Sequence, residues 1–368
     1  MARLKTSIFI AAAALITVGT AAAQTLPAWS PEAAAGYLDG RASWWMDWPK
    51  AQRDHGTFCV SCHTLAPFAL GRPSLRGALH ETSQSPNEKR MLENITRRVR
   101  MWKEVEPFYA DQTSGLPKTS ESRGTEAIFN ALILASNDAP SGKLGADAKL
   151  ALDNMWALQL KTGDMNGAWA WLQFHNAPWE GDSQFYGNTL AALAISIAPG
   201  GYAGEPGIQG GLKSLRAWLQ KNMGTQTPAD RVVLLWASAK LSGLLSREQQ
   251  EQIVAETLAK QKDDGGFSMS TLGGGWKRRD NTPIDPASDG YATGIVALAL
   301  ENASVPAAAP ALARALGWLA RNQQQSDGRW AATSMNKQRE LSSDAGLFMS
   351  DAATAYAVMA LANAAPRK

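Results

Sequence analysis

Cys59-Val60-Ser61-Cys62-His63 contains the only two cysteines of the 368-residue chain, with a histidine directly after the second. Thiols at this spacing can each add across a vinyl group on one edge of a porphyrin, and the adjoining imidazole then reaches the iron as proximal axial ligand. The stretch predicts one covalently attached haem c, tethered by Cys59 and Cys62 and ligated by His63. A structural disulfide and a redox dithiol are the competing uses of such a pair. The dithiol is expected at a strand-to-helix turn in a βαβ unit, and no such unit surrounds residue 59.

The sixth iron position separates a haem that only passes electrons from one that also binds small molecules. Candidates are Met91 and Met101 downstream, Met46 upstream, and His55 or His80. On a helix, Met91 shares the face of Ile95, while Met101 lies opposite Leu92. Trp44, Trp45, Trp48, Phe58, Leu65 and Phe68 supply an apolar cover, which favours the less charged ferrous state.

Haem attachment outside the cytoplasm agrees with the N-terminus. Arg3 and Lys5 precede an apolar run over 8–18, and Ala21-Ala22-Ala23 offers small residues for cleavage. Residues 1–23 read as a signal peptide, which places the mature chain in the periplasm or outside the cell. The run is shorter than the ~20 residues of a spanning helix, and no later segment is long and apolar enough to cross a bilayer. The formal charge of +3 falls to about +1 without Arg3 and Lys5, which argues against nucleic-acid binding. Basic residues over 89–103 alternate with Glu88, Glu93, Glu104 and Glu106, the pattern of a solvated helix face or of a docking patch for an acidic redox partner.

Beyond residue 86 the chain repeats. Apolar, alanine-rich segments at 125–137, 184–197, 229–243, 289–302 and 351–363 alternate with amphipathic ones at 88–105, 147–160, 208–222, 246–261 and 309–323. Asp182, Asp230, Asp289 and Asp351 stand where they could cap the apolar helices. Ser85 with Glu88, and Ser246 with Gln249, form capping boxes ahead of two amphipathic ones. Helices apolar all round must be surrounded by protein, so five alternations predict an all-α fold: an α/α toroid of about five helix pairs, inner layer covered by outer, or an open solenoid with the same alternation, with the apolar last segment favouring closure. The expected organisation is a signal peptide over 1–23, a haem-binding segment over 24–85 that leans on the ring, and the toroid over 86–368.

The loops after the amphipathic helices carry a glutamine, glycine and aromatic: Gln261, Gly265, Gly266 and Phe267; Gln323, Gly328 and Trp330; and, more loosely, Gln159, Gly167 and Trp169. The segment after Gln220 lacks the aromatic. Over 86–368 this resembles the terpenoid cyclase and protein prenyltransferase superfamily, squalene-hopene cyclases in particular. The resemblance implies a toroid with a central cavity, lined by aromatic rings that stabilise carbocations. Trp169, Trp171, Trp179, Phe185, Tyr186, Tyr291 and Tyr356 are the cavity candidates, with core packing and loop clamping as their alternative role.

The chain departs from that family in its chemistry. It has no Asp-x-Asp-Asp acid motif, and its cysteines are committed elsewhere, so neither alkene protonation nor the prenyltransferase zinc site is provided for. Asp263, Asp264, Asp285 and Asp289 are the remaining acids to consider, and all sit where they could cap turns or helices. His175, beside Trp179 and Glu180, is a further candidate acid, base or ligand. The expected function is an exported c-type haem protein in electron transfer, whose toroid binds a partner protein or an isoprenoid-like or other apolar ligand. A cyclase-like enzyme and a binding module of a larger redox complex are the alternatives; if the chain is an enzyme, a haem-dependent oxidoreductase is favoured over a cyclase.

Overall fold

A computed structural model describes residues 29–365 except residue 308. The signal peptide read over 1–23 lies outside the described residues. Fourteen α-helices occur among them. The first two, α1 (Pro31–Asp47) and α2 (Leu65–Ala78), are joined through a small antiparallel hairpin of β1 (Gln52–Arg53) and β2 (Thr57–Phe58). There follow α3 (Pro86–Arg100), the single turn α4 (Asp111–Ser114), α5 (Lys118–Asp138), α6 (Ala146–Ala157), α7 (Phe185–Ile197), α8 (Gln209–Asn222) and α9 (Pro228–Ser238). The last are α10 (Arg247–Leu258), the single turn α11 (Met269–Leu272), α12 (Gly290–Asn302), α13 (Pro310–Arg321) and α14 (Phe348–Ala364).

α2, α5, α7, α9, α12 and α14 pack side by side in that order, and α14 returns to α2. They form a closed inner ring. Around it lie α1, α3, α6, α8, α10 and α13. This is the all-α toroid expected from the alternation, with the segment over 24–85 itself supplying a sixth pair, α1 and α2, in addition to the five read from the repeat. No described helix is long and apolar enough to cross a membrane.

The layers follow from side-chain chemistry. α12 is buried from Gly290 to Leu300 and α14 from Met349 to Leu361, because neighbouring helices cover every face. The outer helices start on their own caps: in α3, Ser85 Oγ accepts from Glu88 N at 3.2 Å while Glu88 returns a bond to Ser85 N at 2.8 Å. Ser246 and Gln249 do the same for α10.

Three glutamines stitch outer helices to their neighbours, α6 to α8, α10 to α13 and α13 to α1. Gln159 Nε2 bonds Gly167 O and Gly211 O, each at 2.9 Å. Gln261 Nε2 bonds Gly265 O and Ala311 O at 2.9 and 2.7 Å. Gln323 Nε2 bonds Gly328 O and Ser30 O, each at 2.9 Å. That last clamp joins the end of α13 to the cap of α1 and so closes the outer layer. Gln220, whose loop lacks the aromatic, still donates to Leu244 O. Gly328 has a φ of 82°, and a Cβ there would lie 2.3 Å from the Ala33 carbonyl carbon, so only glycine fits beneath α1.

Of the four aspartates read as caps, only Asp289 is one, accepting from Ala292 N at 2.8 Å. α7 starts after Gln184, and Asp182 instead meets His175. Thr227 caps α9, and Asp230 lies in its first turn. Asp351 falls inside α14, one turn beyond its start, because the helix begins earlier than the apolar run does.

Candidate functional site

Cys59 follows β2 directly, and its strand is pinned from both sides. Asn94 of α3 accepts from Phe58 N at 2.8 Å and donates to Phe58 O at 3.1 Å. Arg98, buried and paired with Glu126 of α5, donates to Thr57 Oγ1 at 2.7 Å. Trp45 Nε1 donates to Cys59 O at 2.8 Å. The chain then turns into α2: Ser61 Oγ accepts from Thr64 N and Leu65 N at 3.2 and 3.1 Å, satisfying donors at the helix start. His63 therefore stands at the N-terminal end of an inner helix, in the mouth of the ring.

The imidazole is held in one orientation. Its Nδ1 lies 2.8 Å from Thr64 Oγ1, and that hydroxyl donates to Asp351 Oδ2 at 2.7 Å. Since the hydroxyl has one proton and gives it to the carboxylate, it must accept from the ring, so Nδ1 carries the proton and Nε2 the lone pair. Asp351 Oδ1 accepts from Tyr37 OH at 2.7 Å and from Arg41 Nε at 2.8 Å. Burial pushes the Asp351 carboxyl upward, opposed by Arg41, Thr64 and Tyr37; with the guanidinium so close, the pair is ionic. Phe348 stacks on the imidazole with centroids 3.7 Å apart, Trp45 meets it edge-on at 4.9 Å and Trp179 lies 5.6 Å away.

Burial governs the protonation of the motif. It holds His63 neutral by pushing it down to about 3, with Arg41 and Arg339 adding to the effect. It pushes the Cys59 thiol up to about 12, and the Cys62 thiol is also well raised, by burial first and by Glu180 next. Cys62 Sγ lies 3.6 Å from Glu180 Oε1, and burial lifts that carboxyl to about 6. Both cysteines are free rather than joined in a disulfide.

From His63 a file of aromatic rings runs into the ring centre. Trp179 and Tyr291 are 5.9 Å apart, Tyr291 and Tyr356 5.4 Å, and the hydroxyls of Tyr356 and Tyr186 are 3.4 Å apart. Tyr186 reaches a cavity of about 500 Å³ between the α6–α7 loop, the start of α9 and the stretch around Trp276.

Of the aromatics expected to line a cavity, only Tyr186 does so. Trp179 and Tyr291 belong to the file behind it. Trp169 and Trp171 are fully buried elsewhere: Trp169 packs on Trp156 beneath the glutamine clamp, and Trp171 lies over Gly187, donating to Trp179 O at 2.7 Å. Among the candidate sixth ligands, Met91 is buried on α3 and Met101 half-buried at that helix's end, both in the outer layer. His80 is at the opposite end of α2 from His63, about 21 Å along the axis, and His55 pairs with Asp54 at the surface.

His175 is exposed and bonds Asp182 at 2.9 Å. Asp264 accepts from Gly266 N, Ser288 and Trp318, and Asp285 accepts from Ala287 N. The sequence missed Phe348 and Asp351 as partners of His63, because both come from the far end of the chain and neither stands in a motif.

No family model matches this chain, and no curated protein matches it. Among solved structures, a glycosidase point variant matches over 90% of this chain and 97% of its own at 11% identity, with a TM-score of 0.48. We infer neither fold nor activity from that likeness.

Proposed function

We propose that this chain is an exported c-type haem protein of electron transfer, with Cys59 and Cys62 tethering one haem and His63 as its proximal ligand. The observation that carries the reading is the bond from His63 Nδ1 through Thr64 to Asp351. It leaves Nε2 as the ligating nitrogen of a neutral imidazole and gives the ring the anionic support that metal-bound histidines characteristically have. The donor set fits the group. A thioether has neither proton nor charge, so attachment suits a pocket in which a thiolate is strongly disfavoured. The same burial argues against a reactive dithiol, which needs a lowered thiol.

The space beside the imidazole is filled by Trp45, Trp179 and Phe348, so a macrocycle requires the side chains of Trp179 and Phe348 to turn aside while Asp351, one turn further along α14, stays on Thr64. Haem bound there supplies a one-electron couple. The residues of the chain do the rest. Asp351 and Thr64 fix the imidazole, the aromatic rings keep water from it, and the file from Trp179 to Tyr186 offers a path for electrons between the motif and the cavity. Trp44 and Trp48, half-buried outside Trp45, mark the nearest surface for a partner protein. A cyclase reading lacks support at the same level, since Asp264 and Asp289 are bound into turns and caps rather than presented to the cavity.

The test is a pyridine haemochrome spectrum with an in-gel haem stain, on protein exported from a host competent for haem attachment. One c-type haem per chain is expected, absent from Cys59→Ala/Cys62→Ala. Unstained, metal-free wild-type protein from that host overturns the reading.

A further inference from the structure

We propose that the cavity in the ring mouth binds an organic cation, a substituted ammonium head such as that of choline or a benzylic amine. Among the described residues, no lysine, arginine or histidine lines the cavity, whereas Asp164, Asp182 and Asp230 do. Asp164 and Asp182 stand at its exposed edge and meet Lys221 and His175 from outside. Asp230 is half-buried in the wall, and its carboxylate accepts from Thr227 Oγ1 at 2.7 Å, with no basic side chain opposite. Burial lifts it to about 6, so that near neutral pH a negative charge stands in the inner wall.

The other polar groups favour a cation over the competing ligand classes. A phosphate, a diphosphate or an acceptor-rich polyol needs donors, and the wall offers no charged one and has its indole and hydroxyl donors already bonded. Trp218 Nε1 donates to Asp164 O and Trp276 Nε1 to Met335 O, each at 3.0 Å. The amides of Asn222 and Gln226 donate to Trp218 O and Asn222 O. The hydroxyls of Ser183, Thr225 and Thr227 donate to Gln226, to Asn222 O and to Asp230. What the wall presents to a ligand is carboxylates, aromatic surface from Tyr186, Trp218 and Trp276, and the neutral amide of Gln184. Carboxylates beside aromatic surface attract an ammonium ion, whose charge the ring quadrupoles and Asp230 stabilise together.

Isothermal titration calorimetry on the full mature chain tests this with choline, benzyltrimethylammonium and 3,3-dimethylbutan-1-ol, the last having nearly the shape of choline without its charge. At least one ammonium ion is expected to bind, with the neutral isostere about tenfold or more weaker than choline. Asp230→Asn is expected to remove that preference. Because Asp230 also supports the start of α9, Trp276→Leu, at a half-buried wall position, is the second variant, with an expected loss of about three- to tenfold in ammonium affinity and an unchanged circular dichroism spectrum. Equal binding of choline and its neutral isostere overturns the proposal, as does failure of both ammonium ions to bind at millimolar concentration, or unchanged affinity in Trp276→Leu. The heat of binding does not depend on haem. A missing c-type spectrum with intact ammonium binding would therefore sink only the haem reading, and the reverse pair of results only this one.

Discussion

Thr64→Val is the most informative single change, because it keeps the shape of the side chain and removes one hydroxyl that makes two bonds. Wild-type Thr64 accepts from His63 Nδ1 at 2.8 Å and donates to Asp351 Oδ2 at 2.7 Å. Thr64 is 2% exposed, so water cannot replace it freely, and each orphaned buried partner costs about 1–3 kcal/mol. A destabilisation of about 2–4 kcal/mol in urea unfolding is expected. The haem reading adds a second effect. With Nδ1–H unsupported the imidazole becomes a poorer donor, which disfavours ferric iron more than ferrous. A tenfold difference corresponds to a rise of about 59 mV in the one-electron midpoint potential. Thr64→Ser retains the hydroxyl and should keep the wild-type potential. The reasoning fails if Thr64→Val unfolds within about 0.5 kcal/mol of wild type, or if its potential matches that of Thr64→Ser.

Ring closure is tested by Gly328→Ala, whose new Cβ meets the backbone of Ala33 at a φ of 82°. It should cost about 2–4 kcal/mol, read by thermal or urea unfolding, and a change below about 0.5 kcal/mol would contradict the close approach. Glu301, near the end of α12, has a carboxyl that burial lifts to about 8, with Oε2 lacking a partner. The unfolded chain releases this proton near pH 4 and the folded chain only near pH 8, so stability falls as pH rises between the two. Glu301→Gln should thus stabilise by roughly 1–2 kcal/mol at pH 8 and by nothing at pH 4, after allowance for partial exposure, and parallel stability curves for the two proteins would refute it. Haem-free wild-type protein should show no thiol reactive toward Ellman's reagent when native and two in urea, since Cys59 and Cys62 are each 6% exposed; rapid labelling of the native protein would contradict their burial.

What the sequence made legible was local. The capping boxes of α3 and α10 need residues three apart, and the outer stripes and inner apolar runs need only helical periodicity. What stayed hidden depends on distant partners. Asp351 read as a cap from its place before an apolar run, yet it serves Tyr37, Arg41 and Thr64, more than 280 positions earlier in the chain. The tryptophans misled for a related reason: an indole in a loop can face a cavity or seal a clamp, and only the packing of α5, α6 and α7 decides that Trp169 and Trp171 seal.

The sixth helix pair links that closure to the motif. Ser30, Tyr37, Arg41 and Thr64 from the first pair meet Gln323, Phe348 and Asp351 from the last, so the surroundings of His63 exist only once the ends of the chain have joined. The thiols are buried in that closed state and strongly disfavoured as thiolates. On the haem reading proposed above, thioether formation at Cys59 and Cys62 would belong before α14 docks on α2, while the motif is still open to solvent and its thiols retain ordinary acidity. In the closed ring α14 holds Asp351 against Thr64 and Phe348 against the imidazole. In this arrangement the repeat is more than a scaffold for the motif, because its last helix supplies both the ring that covers His63 and the carboxylate that orients it.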